Sequence, residues 1–166
     1  MKLPPDYVCG FVDGEGSFVI SISKHKTKKL GLDARLAFEI ELRADDEEIL
    51  KSIQETLECG RIYYLNYERY GWNPHVELKV SSIVDIRDKL IPFFQKHSLR
   101  GKKRNSFAIF VQAAELFYRK EHLTKEGIVN LRSLQKRMNR FGKKGKLRVR
   151  HGAGKPRAGR RENQPQ

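Results

Sequence analysis

Apolar and polar residues alternate along this chain with two different periods, and the switches between them mark out its elements. Residues 17–23 (Ser-Phe-Val-Ile-Ser-Ile-Ser) alternate singly, as a half-buried strand does. The same period returns in 35–43, where Leu36, Phe38, Ile40 and Leu42 point one way. Arg35, Ala37, Glu39, Glu41 and Arg43 point the other. Residues 75–81 alternate as cleanly, with Val76, Leu78 and Val80 inward. Residues 61–67 also read as a strand, but Ile62 and Leu65 differ in parity and leave its inward face open.

Between the strands the period lengthens to that of a helix. Pro4 and Pro5 cannot continue a helix from upstream, and Asp6 is a good N-cap, so a short helix is expected from there. Asp45 is expected to cap a second helix in a capping box with Glu48; its stripe is Ile49, Leu50, Ile53 and Leu57, and Gly60 ends it. Ser82 is expected to cap a third, carrying Ile83, Val84, Ile86 and Leu90, before Pro92-Phe93-Phe94 interrupts the pattern. Phe107, Phe110, Val111, Ala114, Phe117 and Tyr118 mark a long helix; Ile128, Leu131, Leu134 and Met138 mark a last one, starting at Thr124. The predicted order is αββαββα followed by C-terminal helices, an α+β fold with a four-stranded antiparallel sheet.

Such a sheet needs helices on its apolar face and leaves the other free. The free face is expected to present Ser21, Ser23, Arg35, Glu39, Glu41, Arg43, Arg61, Tyr63, His75, Glu77 and Lys79. Arginine and lysine suit guanine edges, carboxylates accept from the cytosine amino group, and Ser, Tyr and His bond bases or phosphates. A face of mixed charge suits sequence reading better than a plain phosphate cradle, although strand exteriors are polar in most proteins. The adjoining loop, with Lys24, His25, Lys26, Lys28 and Lys29, adds phosphate affinity.

Charge strengthens that expectation. The 166 residues carry a net charge of +14, which points first to a nucleic acid and only second to an anionic membrane surface. No apolar run approaches a membrane span and no signal-peptide pattern precedes Pro4, so no membrane partner is expected. Residues 140–166 hold ten lysines and arginines against one acid, Glu162, and divide the chain into a domain of 1–139 and a basic tail. The tail is expected to stay weakly structured until it meets a partner and to add affinity without sequence preference. Cys9 and Cys59 sit in apolar surroundings and read as reduced core residues of an intracellular protein.

The chemistry concentrates in residues 7–18, Tyr-Val-Cys-Gly-Phe-Val-Asp-Gly-Glu-Gly-Ser-Phe. Gly10 would let another backbone come close to the first helix, and Gly14 and Gly16 would let the chain turn sharply at Glu15. A packing glycine and a solvated turn glutamate would account for this spacing alone. Read functionally, Glu15 is a hard oxygen ligand for Mg²⁺ beside a phosphodiester, with the Gly14 carbonyl a further ligand. One glutamate is a poor site by itself. Two chains packed through their first helices would bring two Glu15 carboxylates to a two-fold axis.

Residues 8–16 resemble the signature of the LAGLIDADG homing endonucleases: Gly10, Asp13 and Gly16 match in identity, and Val8, Phe11 and Val12 match in character. Glu15 stands at the final acidic position, with a longer arm than the commoner aspartate. The resemblance runs over roughly residues 6–120 and implies a homodimer with an αββαββα core. In that family a saddle-shaped sheet lies in the major groove of a long, nearly palindromic DNA duplex. Both strands are cut across the minor groove with Mg²⁺ or Mn²⁺, leaving four-base 3′ overhangs. Carried over, Glu15 is the catalytic metal ligand, Arg100 or Lys102 is the basic residue near the scissile phosphate, and Val8, Gly10 and Phe11 form the dimer interface. Leu42 departs from members that place a water-positioning polar residue near there. Rival readings are an intron maturase with intron RNA as partner, a DNA-binding protein that no longer cuts, and a generic ribosome-associated protein. The expected setting is a bacterial or archaeal cytoplasm or an organelle, a mitochondrion or chloroplast.

Overall fold

The computed structural model describes residues 1–68 and 71–142. Helix α1 (Pro5–Glu15) runs into strand β1 (Ser17–Lys24), which turns back as β2 (Leu32–Arg43). Helix α2 (Glu47–Leu57), strands β3 (Arg61–Leu65) and β4 (His75–Val80) and a second helical segment complete the duplicated pattern. That segment comprises an α-turn, α3 (Ile83–Asp85), a π-turn (Ile86–Leu90) and α4 (Ile91–Lys96). Helices α5 (Lys103–Tyr118) and α6 (Lys125–Gly142) follow. The α+β architecture is the expected one. The four strands are antiparallel in the order β1-β2-β4-β3.

Helices cover one face of the sheet. Phe18, Ile20, Leu36, Phe38, Ile40, Val76, Leu78 and Val80 are buried against Val8 and Val12 of α1, Leu50, Ile53 and Leu57 of α2, and the C-terminal helices. Phe18 is the hub: its ring centroid lies 5.2 Å from Phe38, 5.1 Å from Phe110, 5.4 Å from Phe107 and 6.0 Å from Phe94. It stands three residues after Glu15, so the end of α1 is seated beside this aromatic cluster.

Several local expectations change. The α1 N-cap is Pro4 with Pro5 inside the first turn, and Asp6 serves the helix dipole from that turn instead of capping it. Gly16 does not supply a left-handed turn, since its φ is −69°. A Cβ there would lie 2.7 Å from Val12 Cγ1 and 3.0 Å from the Val12 carbonyl, so glycine is required by closeness. Asp45 lies in a 3₁₀ turn, Ala44–Asp46, and pairs with Arg43 at 2.7 Å; Asp46 takes the N-cap position of α2 without a side-chain bond. Glu58 is already left-handed (φ 55°) where α2 ends, ahead of Gly60. Pro92 does not end its helix. The π-turn before it widens the coil where proline lacks a donor and would crowd the carbonyl four residues back. Val84 is exposed and leaves its predicted stripe.

The caps of the third and last helices and the stripe of the last one stand as expected. Ser82 accepts from the Asp85 amide and Thr124 Oγ1 from the Gly127 amide. Ile128, Leu131, Leu134 and Met138 are all buried. Helix α6 passes the boundary drawn at residue 139 and continues to Gly142; the remainder of the basic tail lies outside the described residues. Cys9 and Cys59 are free and buried, and burial pushes both thiols up to about 11. Among the described residues no helix is long and apolar enough to cross a membrane.

Candidate nuclease site and nucleic-acid interface

Residues 97–103 are laid along α1 by contacts that step down the helix. Cys9 Sγ donates to the His97 carbonyl at 3.0 Å. Asp13 Oδ2 accepts from the backbone amides of Arg100 (2.9 Å) and Gly101 (3.0 Å). A Cβ at Gly101 would come 2.9 Å from Asp13 Oδ1, so that loop closes on the carboxylate only without a side chain. Asp13 is thus a positioning residue that fixes the basic segment against the motif.

The segment then sends Lys103, in the first turn of α5, to the end of α1, where its Nζ donates to the Gly14 carbonyl at 2.9 Å. Burial lowers the Lys103 pKa, while the charges of Glu15 and Asp13 work the other way. The folded chain therefore holds this proton less tightly than the unfolded chain. That burial costs stability at neutral pH, and the cost fades as pH rises through the lowered value towards the ordinary 10.5. Arg100 and Lys102, singled out from the sequence, are exposed beside it, but Lys103 is the base in contact with the motif. Its basic segment was visible in the sequence. Which of its members faces α1 depends on how the first turn of α5 docks.

Glu15 is exposed at the last position of α1 and makes no hydrogen bond or ion pair among the described residues. Its carboxylate and the Gly14 carbonyl offer hard oxygen donors of the type Mg²⁺ takes. Among the described residues no three Asp, Glu, His or Cys side chains gather to hold a metal ion. The donor set suits a hard cation but is incomplete in one chain.

Along α1 the exposed positions fall on one stripe. Tyr7 is half exposed and stacks on Phe11, with ring centroids 6.3 Å apart. Gly10 and Gly14 have nothing within 4 Å of where a Cβ would stand. Val8, assigned from the sequence to a dimer interface, has no exposure at all and belongs to the chain's own core. The open stripe is Tyr7, Gly10, Phe11 and Gly14.

The strand register defines the free face. Ser17, Glu39, Lys79 and Arg61 form one row, Ser21 and Arg35 another, Glu41, Glu77 and Tyr63 a third, and Arg43, His75 and Leu65 a fourth. All the predicted face residues on the strands share this side, and Ile62 and Tyr64 of β3 take the helix side. The early start of β2 adds Asp33, opposite Ser23. Lys24 pairs with Leu32 and so lies on the helix side, while Lys26, Lys28 and Lys29 belong to the turn. Leu42 also faces the helices.

Charges on this face are paired with one another. The Lys79 ammonium lies 2.5 Å from Glu39 and 4.0 Å from Glu77, His75 Nδ1 is 2.7 Å from Glu41, and Arg35 is 2.7 Å from Asp33. The Glu39 hydrogen bond raises the Lys79 pKa, and burial, then Glu39 and Glu41, raise that of Glu77. Like charges face each other directly at Glu41 and Glu77, which a sheet built only for stability would avoid.

Residues 8–114 match the family model described as LAGLIDADG endonuclease. The chain belongs to that family. It is 33% identical over 126 residues to "Probable intron-encoded endonuclease 2" of Neurospora crassa, a match covering 76% of this chain and 27% of that protein. It is 28% identical to "DNA endonuclease I-CeuI" of Chlamydomonas moewusii, covering 75% of this chain and 56% of that one. Among solved structures, the I-SmaMI LAGLIDADG homing endonuclease bound to cleaved DNA superposes with a TM-score of 0.75 at 31% identity. That likeness covers 83% of this chain and 44% of that chain. The I-LtrWI LAGLIDADG homing endonuclease bound to target DNA gives the same TM-score and identity over 82% and 44%. The chain thus spans about a quarter of the Neurospora relative and under half of the solved nuclease chains.

Proposed function

We propose that this chain is a site-specific, divalent-metal-dependent double-stranded DNA endonuclease working as a pair of αββαββα units. The observation that carries the reading is the end of α1, where the exposed Glu15 carboxylate and the Gly14 carbonyl, which accepts from the Lys103 ammonium, lie beside an open small-residue stripe. Two α1 helices packed through Tyr7, Gly10, Phe11 and Gly14 would set two such ends side by side across a two-fold axis. The metal, Mg²⁺ or Mn²⁺, would be held by Glu15 and supply Lewis acidity at the scissile phosphate. Lys103 would offset negative charge developing there, with Arg100 and Lys102 holding neighbouring phosphates.

The free face would lie in the major groove. Most of its carboxylates and cations are already paired, so binding exchanges internal pairs for base edges and phosphates. An organelle is the compartment we propose, in line with intron-encoded relatives from eukaryotes. The direct test is cleavage of a randomised-site duplex library in Mg²⁺. One long, nearly palindromic sequence is expected to be cut with four-base 3′ overhangs. A library left uncut while the protein still selects a sequence would reduce the chain to a DNA-binding protein.

Lys103→Met is expected to lower the single-turnover cleavage rate about 10²-fold, as loss of one preorganised charge does. Arg100→Ala or Lys102→Ala should cost less. With the charged form active, the wild-type rate falls as pH rises through the lowered Lys103 pKa, and the variant lacks that alkaline decline. Equal rates for variant and wild type across the profile would remove Lys103 from the chemistry.

A further inference from the structure

The β1–β2 turn and the first half of α6 face each other across a cleft of about 310 Å³. Its walls carry three cations, Lys29 from the turn and Lys125 and Arg132 from α6, with no acid. Leu30, Leu32, Ile128 and Val129 supply its apolar lining. The turn is a built structure: His25 N–H donates to the Gly31 carbonyl at 2.9 Å and Gly31 N–H to the Lys28 carbonyl at 2.8 Å. Cations on the sheet face are mostly neutralised by carboxylates, but Lys29, Lys125 and Arg132 have no ion-pair partner among the described residues. Three unpaired charges converging on one cleft repel each other, a cost that an anion between them removes.

The direction of the cleft follows from the helix itself. Gln135 Nε2 donates to the Ile20 carbonyl at 2.7 Å, which ties α6 to the outer edge of β1. Going round α6 at about 100° per residue, Gln135 lies within the buried stripe between Leu131 and Ile128, and Ile128 is followed by Arg132, Lys125 and Lys136. The basic side therefore begins where the sheet ends. The only acid of the described helix, Glu126, lies off this side.

We propose that this cleft is a second phosphate-binding surface, gripping the backbone of the target duplex beyond the outer strand of the sheet. The surface rests on the reading of the partner as duplex DNA. It adds affinity and register without reading bases, since lysine and arginine on phosphate oxygens carry no sequence information.

The test is the double variant Lys125→Gln/Arg132→Gln, with both positions exposed and an unchanged melting temperature as the check on folding. Binding is measured over a salt series on two duplexes carrying the selected target, one trimmed to the sheet's footprint and one with random flanks. On the flanked duplex the slope of log K against log salt should fall in magnitude by about 1–2, at roughly 0.9 per lost phosphate contact. The trimmed duplex should show no change, and the ranking of target sequences should be preserved. An unchanged slope on the flanked duplex overturns the proposal, and a loss seen only on a structured RNA overturns it in favour of RNA. If the wild type prefers no sequence and the variant still loses slope, the reading of the sheet fails and the cleft stands.

Discussion

Glu15→Gln protein is expected to fold, pair and hold its duplex, and not to cut it. The substitution keeps nearly the same size at an exposed helix end with no hydrogen-bond or ion-pair partner among the described residues, so the fold loses only the attraction between Glu15 and the Lys103 ammonium. Affinity without metal, or in Ca²⁺, should hold or rise, because an unscreened carboxylate near phosphate oxygens is repulsive. Cleavage in Mg²⁺ should drop by about 10³-fold or more, since Lewis-acid catalysis supplies several kcal/mol and each ~1.4 kcal/mol is tenfold. Single-turnover cleavage beside a binding isotherm checks both halves. A variant that cuts at the wild-type rate sinks the proposed mechanism; one that neither folds nor binds makes the motif structural.

Gly10→Leu is expected to give a folded monomer with cleavage lost to the same degree. Nothing lies within 4 Å of a Cβ at residue 10, so the side chain meets no obstacle within its own chain. An exposed helical glycine replaced by leucine even favours the helix by roughly 0.5–1 kcal/mol. The isobutyl group would instead hold two α1 helices apart and separate the paired Glu15 carboxylates. Sedimentation equilibrium with and without duplex, beside the melting temperature, tests this. A Gly10→Leu protein that stays paired and cuts would mean that the units meet elsewhere.

Local sequence was enough for the element order and the sheet's two faces, and it singled out Glu15 as the carboxylate proposed to hold the metal. These follow from local causes: a period of two for strands, a longer one for helices, and a motif contiguous in the chain. Even the free face was legible, because alternation fixes sides once β2 and β4 are recognised. The exceptions are where two local signals conflict. In β3, Ile62 and Leu65 disagree, and only pairing with β4 assigned Leu65 to the free face.

What the tertiary structure decided is what depends on docking between distant segments. Val8 and Phe11 are alike as apolar residues, yet the core takes Val8 and leaves Phe11 partly open because α1 meets the sheet along one side only. Arg100, Lys102 and Lys103 are equivalent in composition. The Asp13 bonds to the 100–101 backbone and the first turn of α5 are what bring Lys103 to Gly14. Gly16, expected from the sequence to allow a sharp turn, is a close contact, since its demand for glycine comes from Val12 packed against it and not from its own torsions. The cleft between residues 29 and 125–132 had no sequence signal, because its two walls lie far apart in the chain and are brought together by the docking of α6 on β1.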